Sequence, residues 1–255
     1  MTSHAERFDR WMDALERRHL ADLTFPEVSR ALRALSSAYV ERRTRLARGT
    51  ALDGAGKRAA FALFYGPLHF LVLREIVSAL PGATRPGRRL ADLGCGTGAA
   101  GAAWATACAQ PPEVVGLDRH PWAMAEAART YGEFGLVART RQQDVTSAAL
   151  SKSPCAILAA FTVNELADDA RARLQARLLD RAAHGDSVLL VEPIARRAAP
   201  WWDRWKAAFG AVGGRDDEWR IGVELPPLVA KLDRAAGLNH RELTGRSLWL
   251  PGGRA

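Results

Sequence analysis

Residues 88–98, R-R-L-A-D-L-G-C-G-T-G, join a short apolar run to a glycine-rich turn. The alanine-rich residues 99–109 that follow are typical of a helix. Glycines let the backbone turn sharply and let a ligand approach it closely, and the first turn of a helix offers unpaired amide donors. This stretch therefore predicts a strand, a ligand-binding loop and a helix in succession, with a small anionic ligand as the natural occupant.

Short apolar runs alternate with helical patterns from residue 88 onwards. The runs are Arg89–Leu93, Glu113–Leu117, Ala138–Gln142, Ala156–Ala160 and Ser187–Val191. The alternation predicts an α/β fold of the Rossmann-like type, with a mostly parallel sheet covered on both faces. Near the C-terminus, residues 238–243 and 246–250 flank Thr244-Gly245, which predicts an antiparallel hairpin that closes the sheet.

The N-terminal part of the chain has helical periodicity. We expect a first helix capped by Ser3, a second that begins at Phe25, and a third that is interrupted at Gly66-Pro67, because proline lacks an amide hydrogen. We accordingly predict an N-terminal helical extension over residues 1–80 and a ligand-binding domain over residues 81–255.

The glycine loop alone is ambiguous. Gly94, Gly96 and Ala99 also satisfy the dinucleotide-binding pattern G-x-G-x-x-G/A. Asp92, two residues before the first glycine, is placed to hold the ammonium group of a methionine-type ligand, a group that a dinucleotide lacks. Asp118 ends the second strand and is placed to accept both ribose hydroxyls, which fits either ligand.

Two later strand ends favour the methionine-type ligand. Asp144 and Val145 end the third strand, where a carboxylate beside an apolar residue can hold an adenine. Residues 161–166, F-T-V-N-E-L, follow the fourth strand at the edge where open α/β sheets bind ligands. Ordinary roles stay open at this point, because aspartate is common in turns and Asn164 is also placed to cap the next helix.

These motifs together resemble class I S-adenosylmethionine (SAM)-dependent methyltransferases over roughly residues 85–250. They are D-L-G-C-G-T-G (92–98), G-L-D (116–118), Q-D-V (143–145), F-T-V-N-E-L (161–166) and L-L-V-E-P (189–193). Residues 25–39, 161–166 and 189–193 further resemble the small-ribosomal-subunit methyltransferase-like family, which includes mitochondrial ribosome assembly proteins. That resemblance implies small-subunit ribosomal RNA as the methyl acceptor.

The resemblance and the strand-end placement together predict the site. Ten residues are expected to bind SAM: Asp92, Gly94, Cys95, Gly96, Gly98, Asp118, Arg119, Asp144, Val145 and Phe161. Asn164 and Glu165 are expected to be catalytic and to face the transferable methyl group. The methyl group of a sulfonium is already activated, so a general base helps only if the acceptor starts protonated, and Glu165 or His69 is the candidate. Glu192 directly follows the fifth strand, and the alternative interpretation is that it orients the loops at the rim of the site.

Two other functional classes stay open. An NAD(P)-dependent oxidoreductase would share the topology, but it would need a nicotinamide pocket and a catalytic Tyr/Lys pair or histidine that the sequence does not reveal. A methyltransferase-like assembly factor would keep the fold and bind RNA without turnover. Cofactor titration separates the first class from a methyltransferase, and turnover separates the second.

Charge and composition bound the partners. The net charge of +8 suits a polyanion such as RNA. The second helix carries a basic group formed by Arg30, Arg33, Arg42, Arg43, Arg45 and Arg48. Residues 195–220 interleave arginine with tryptophan, as RNA-stacking surfaces do, although the spacing of Trp202, Trp205 and Phe209 favours packing on the sheet. No DNA partner is expected.

Cysteine usage and hydropathy predict the compartment. Cys95, Cys108 and Cys155 are irregularly spaced, so neither a disulfide framework nor a metal site is expected, and the cysteines that accompany an iron-sulfur cluster in several relatives are missing. The charged N-terminus and the lack of long uncharged apolar runs predict a cytoplasmic protein with no membrane partner.

Overall fold

A computed structural model describes residues 4–41, 52–194 and 199–253. The helices are α1 (His4–His19), α2 (Phe25–Glu41), α3 (Ala55–Ala60), α4 (Gly66–Ala79), α5 (Ala99–Thr106), α6 (Pro121–Glu133), α7 (Asp168–Ala183), α8 (Trp202–Gly210) and α9 (Pro227–Ala235). The strands are β1 (Arg89–Leu93), β2 (Glu113–Asp118), β3 (Ala138–Gln142), β4 (Ala156–Ala160), β5 (Ser187–Glu192), β6 (Arg215–Ile221) and β7 (Leu243–Leu250). A π-helical turn, Phe61–Tyr65, joins α3 to α4, and a 3-10 turn, Val163–Glu165, precedes α7.

The seven strands form one sheet in the order β3-β2-β1-β4-β5-β7-β6. Strands β1 to β5 run parallel, and β7 runs antiparallel to both β5 and β6. The predicted Rossmann-like α/β fold is confirmed. All five predicted strands are present, and two of them extend one residue further, to Asp118 and to Glu192.

The predicted antiparallel strands at the C-terminal end of the sheet are confirmed, but their predicted bounds and turn are wrong. Thr244 and Gly245 do not turn, because they lie inside β7, opposite Arg220 and Trp219. The antiparallel partner of β7 is β6, which comes before α9 in the chain. Strand β6 reads R-D-D-E-W-R-I at the edge of the sheet, and its many exposed charges hide the apolar alternation that would have revealed it.

Two apolar layers cover the sheet. On one face, α4, α5 and α6 pack around Trp104 and Tyr131. On the other face, α7 and α8 pack around Leu174 and Trp205. Trp202, Trp205 and Phe209 are buried in that second layer, so the packing interpretation of their spacing is confirmed.

The interruption expected at Gly66-Pro67 does not break the helix. The π-helical turn absorbs the proline, since the Gly66 amide reaches back five residues to the Phe61 carbonyl. The continuous stretch Ala55–Ala79 is long and apolar enough to cross a membrane by length and composition, but 72% of its most apolar window is buried inside the protein. It has the burial pattern of a core helix.

Two predictions concern residues outside those that the structure describes. They are the Ser3 cap of the first helix and the basic residues Arg42, Arg43, Arg45 and Arg48. Helix α2 does begin at Phe25 as predicted.

Candidate active site

The glycine loop between β1 and α5 depends on its glycines. Gly94, Gly96 and Gly98 have φ angles of 69°, 52° and 77°, in the left-handed region that side chains disfavour. A Cβ at Gly94 would overlap the Thr162 hydroxyl, and one at Gly98 would lie 2.9 Å from the Ala127 Cα. The loop therefore presents bare backbone at the carboxyl edge of the sheet, which is the cradle that a close-fitting ligand requires.

Asp118 ties the end of β2 to this loop. Its Oδ2 accepts a hydrogen bond from the Gly96 amide at 3.0 Å, and its Oδ1 accepts one from the His120 amide at 2.8 Å. The side chain is only partly buried, and each carboxylate oxygen keeps a further lone pair. Asp118 can thus accept ligand hydroxyls while it holds the loop, which fits a ribose.

Asp92 lies beneath the loop. It is 1% exposed, and its Oδ2 accepts hydrogen bonds from the Gly101 amide at 3.1 Å and from the Tyr131 hydroxyl at 3.0 Å. Burial raises the pKa of Asp92 to about 7, against the lowering effect of these two hydrogen bonds. The observed contacts fix α5 and α6 to the loop, and an ammonium contact stays a prediction. Cys95 is also buried, and burial raises the pKa of its thiol well above the ordinary value.

Gly101→Ala is expected to lower the free energy of unfolding by roughly 1–3 kcal/mol, because the new Cβ would overlap Asp92 Oδ2. Gly132→Ala is the matched control, since Gly132 lies in α6 with no atom within 4 Å of a Cβ. That control should gain about 0.5–1 kcal/mol from helix propensity. Urea denaturation measures both, and equal stability of the two variants would contradict the role of Asp92.

Asp144, Val145 and Arg119 meet beside Asp118. The Asp144 Oδ1 accepts hydrogen bonds from the Thr146 amide, at 2.8 Å, and from the Thr146 hydroxyl. The hydroxyl contact is the largest cause that lowers the pKa of Asp144. Arg119 approaches Asp144 Oδ2 at 3.8 Å, and Val145 is buried. Asp144 therefore does occupy a turn, and the turn stands at the ligand edge where adenine contact was predicted.

The loop after β4 is held by a buried carboxylate. Glu192, at the end of β5, is fully buried and accepts hydrogen bonds from the amides of Val163 (2.7 Å) and Asn164 (3.2 Å) and from Asn164 Nδ2 (2.6 Å). The Trp201 indole donates to Asn164 Oδ1 at 3.0 Å. Glu192 thus orients the loop, as the alternative interpretation had it. Asn164 does not cap a helix, because α7 starts only at Asp168, and a catalytic role for it stays a prediction.

Glu165 ends this loop with a perturbed carboxyl group. Burial raises its pKa to about 7, the charge of Asp118 raises it further, and Arg119 lowers it. Glu165 therefore lies within electrostatic reach of the predicted ribose ligand. A carboxyl group with a pKa near neutrality is suited to accept a proton at physiological pH.

Four rings form an aromatic wall beside the loop: Phe61, Tyr65, His69 and Phe161. Of these, His69 and Phe161 were predicted separately from the sequence, whereas Phe61 and Tyr65 were missed. The His69 ring stacks on Phe161 with centroids 4.0 Å apart and planes 15° apart, and Phe61 and Tyr65 each lie 6.2 Å from His69. A Cβ at Gly96 would lie 3.5 Å from the Phe61 ring, so the wall borders the glycine loop. The aromatic spacing of four residues along the helix was the available signal.

Two residues of the aromatic wall have unusual properties: Phe161 has a strained backbone, and His69 has a lowered pKa. Phe161 has a φ of 57°, and among the described residues it is the only non-glycine with a positive φ. Its amide donates to the Val191 carbonyl at 2.7 Å, which holds this conformation. Burial lowers the pKa of His69 to about 3, so the imidazole is neutral and is a poor base at physiological pH.

The family comparison matches a methyltransferase domain over residues 90–185. The solved structure of the plantazolicin methyltransferase BpumL in complex with SAH is similar, with 12% identity, a TM-score of 0.52, and coverage of 96% of this chain and 99% of that one. A protein provisionally named an O-methyltransferase from Nostoc punctiforme is also similar, with 11% identity, a TM-score of 0.55, and coverage of 84% and 69%. No curated protein matches the sequence.

The domain match covers the glycine loop, Asp118, Asp144 and the loop after β4. The glycine cradle, with an acidic side chain at the end of β2 and a second one just beyond β3, fits the sulfonium nucleoside that such a domain uses. The chain carries a methyltransferase domain over residues 90–185 and is a SAM-dependent methyltransferase.

Proposed function

We propose that this methyltransferase acts on an oxygen or nitrogen of a small planar acceptor, with Glu165 as the general base. The observation that carries the proposal is the aromatic wall. Phe61, Tyr65 and His69 are partly exposed, whereas residues 62–64 and 66–68 between them are buried. These rings form one uncovered stripe on a helical segment that is otherwise buried, and the stripe borders the glycine loop. We infer that the rings are exposed in order to contact a ligand.

The wall favours a flat partner. Ring pairs in stacked or edge-on geometry contribute about 0.5–1.5 kcal/mol each beyond their buried area. The Tyr65 hydroxyl does not compete for the acceptor, because it is bonded to the Ser36 side chain and burial raises its pKa to about 12. A ring-bearing acceptor is thereby oriented with little conformational entropy to lose.

SAM, when bound, supplies a methyl group on a positively charged sulfur. The glycine loop and Asp118 would hold its ribose side, and Asp144 with Val145 its adenine. Glu165 would accept the acceptor's O–H or N–H proton on its carboxylate. The hydrogen bonds of Glu192 to the Val163 and Asn164 amides keep the Glu165 backbone in place.

RNA is the second candidate, on the ground of charge. The net charge is +8, and Arg30 and Arg33 are exposed on α2. Three of the four tryptophans in residues 195–220 do not offer a stacking surface, since Trp201, Trp202 and Trp205 are 6%, 5% and 0% exposed and are packed in the apolar core. The family match names no RNA, and BpumL is named a plantazolicin methyltransferase. We therefore rank a small planar acceptor above small-subunit ribosomal RNA.

Transfer of tritiated methyl groups from SAM tests the proposal. The chain would be incubated with the low-mass fraction of a cell extract, with free RNA and with small ribosomal subunits. We expect label in low-mass products that absorb in the ultraviolet, and labelling that is slower by roughly 10²–10⁴-fold when the chain carries Glu165→Gln. Label in RNA alone would replace the small-molecule proposal with the ribosomal one, and label in non-absorbing aliphatic products alone would refute the planar acceptor.

A further inference from the structure

The sheet has an open groove on the face opposite the one that packs against Phe61 and Tyr65. The connection from β3 to β4, residues 143–155, contains no helix and crosses the face of β1, β2 and β3 as a loop. Between this loop and the strands lies a cavity of about 230 Å³. Because parallel sheets are normally covered on both faces, a gap of this kind leaves strand side chains available to a ligand.

Alternate residues of β1, β2 and β3 point to the same face of the sheet and line this cavity. The register places Ala91, Val115 and Arg139 side by side, and Leu117 opposite Arg141. The floor is apolar, and its accessible side chains are those of Val115 and Leu150, while three guanidinium groups, those of Arg89, Arg139 and Arg141, stand at the rim. We call this cavity the arginine groove.

The charges at the rim do not balance. Glu113 pairs with both Arg89, at 3.3 Å, and Arg139, at 2.5 Å, so one carboxylate serves two cations. Arg141 is exposed and forms no ion pair with any residue in the described part of the chain. The groove therefore carries an excess of positive charge above an apolar floor.

We propose that the arginine groove binds a small amphiphilic anion, with a carboxylate or phosphate on Arg139 and Arg141 and an apolar body on the floor. Guanidinium groups match the fork geometry of such oxyanions, and the floor removes the apolar body from water. A free inorganic ion would gain little from exposed arginines, and a neutral apolar molecule would leave the cations unused. Both parts of the ligand are needed.

The groove is separate from the cofactor site. It lies on the face of the sheet, whereas the glycine loop lies at the carboxyl edge, and Leu117 connects the two. The Leu117 side chain lines the groove, and its carbonyl accepts the amides of Gly94 (2.7 Å) and Cys95 (3.0 Å). The proposal therefore does not rest on the acceptor proposed above.

Calorimetric titration with hexyl phosphate, hexanol and inorganic phosphate tests the proposal. We expect hexyl phosphate to bind at least about tenfold more tightly than either of the other two, as the sum of a charged and an apolar contribution implies. Saturating SAM should not displace it. Arg141→Glu should weaken hexyl phosphate at least about tenfold, a loss typical of a reversed charge at a binding site.

Two further variants keep the result interpretable. Arg234→Glu makes the same charge change at an exposed position in α9, outside the groove, and should leave the affinity unchanged. Ala149→Trp fills the groove from an exposed lining position and should abolish binding without changing the charge. Equal weakening by Arg141→Glu and Arg234→Glu, full binding by the Ala149→Trp variant, or equal affinity for hexyl and inorganic phosphate would each overturn the proposal.

Discussion

Replacing Glu165 with glutamine will lower kcat by roughly 10²–10⁴-fold, the usual contribution of a general base, and will leave SAM affinity unchanged. Glutamine keeps the size and shape of the side chain but cannot accept the acceptor's proton. The pKa of about 7 makes this loss testable by pH as well as by mutation. Single-turnover rates with the wild type and the variant measure the change.

The pH dependence has a definite direction. Burial and the charge of Asp118 raise the pKa of Glu165 to about 7, so the carboxylate is protonated and inactive below that pH and ionised above it. The wild-type rate should therefore rise as the pH increases through about 7 and then level off, whereas the Glu165→Gln rate should not show this rise. Glu133→Gln, an exposed change at the end of α6, is the matched control and should keep the wild-type profile. An unchanged kcat in the Glu165→Gln variant would return Glu165 to a structural role.

Strands β4 and β5 were predictable because they are buried on both faces. Strand β4, A-I-L-A-A, has five buried residues and stands out as an apolar run, and the same holds for β5. Each such run ends at the edge where Asp118, Asp144 and Glu165 stand. The position of these residues at strand ends was therefore enough to predict, from the sequence alone, which edge of the sheet binds the cofactor.

The features missed from the sequence are those whose local sequence pattern does not match the structure that they adopt in the folded protein. Strand β6 is charged because its exposed edge needs solubility, so its sequence lacks the apolar pattern of a strand. Pro67 looked like a helix break because periodicity does not reveal that a π-helical turn can spare its missing amide. The Glu192 contacts join residues 28 and 29 positions apart, and such pairing follows from the order of β4 and β5 in the sheet, which a single sequence does not state.

Replacing Asp118 with alanine will weaken SAM binding by roughly 10- to 150-fold, since losing hydrogen bonds to a charged group costs about 1.5–3 kcal/mol. SAM and SAH carry the same ribose, so calorimetry should show equal losses for both. Asp118 also accepts the Gly96 and His120 amides, so part of the loss could come from the loop.

An SAH analogue without ribose hydroxyls separates these two causes. If Asp118 binds the hydroxyls, the wild type should bind the analogue more weakly than SAH, and the Asp118→Ala variant should bind both equally, because the missing hydroxyls have no partner left to lose. If Asp118 only shapes the loop, the variant should still prefer SAH by the wild-type factor. That second result, obtained with a variant whose unfolding transition is unchanged, would remove Asp118 from the cofactor contacts and leave the glycine loop to hold the ribose side by its backbone amides alone.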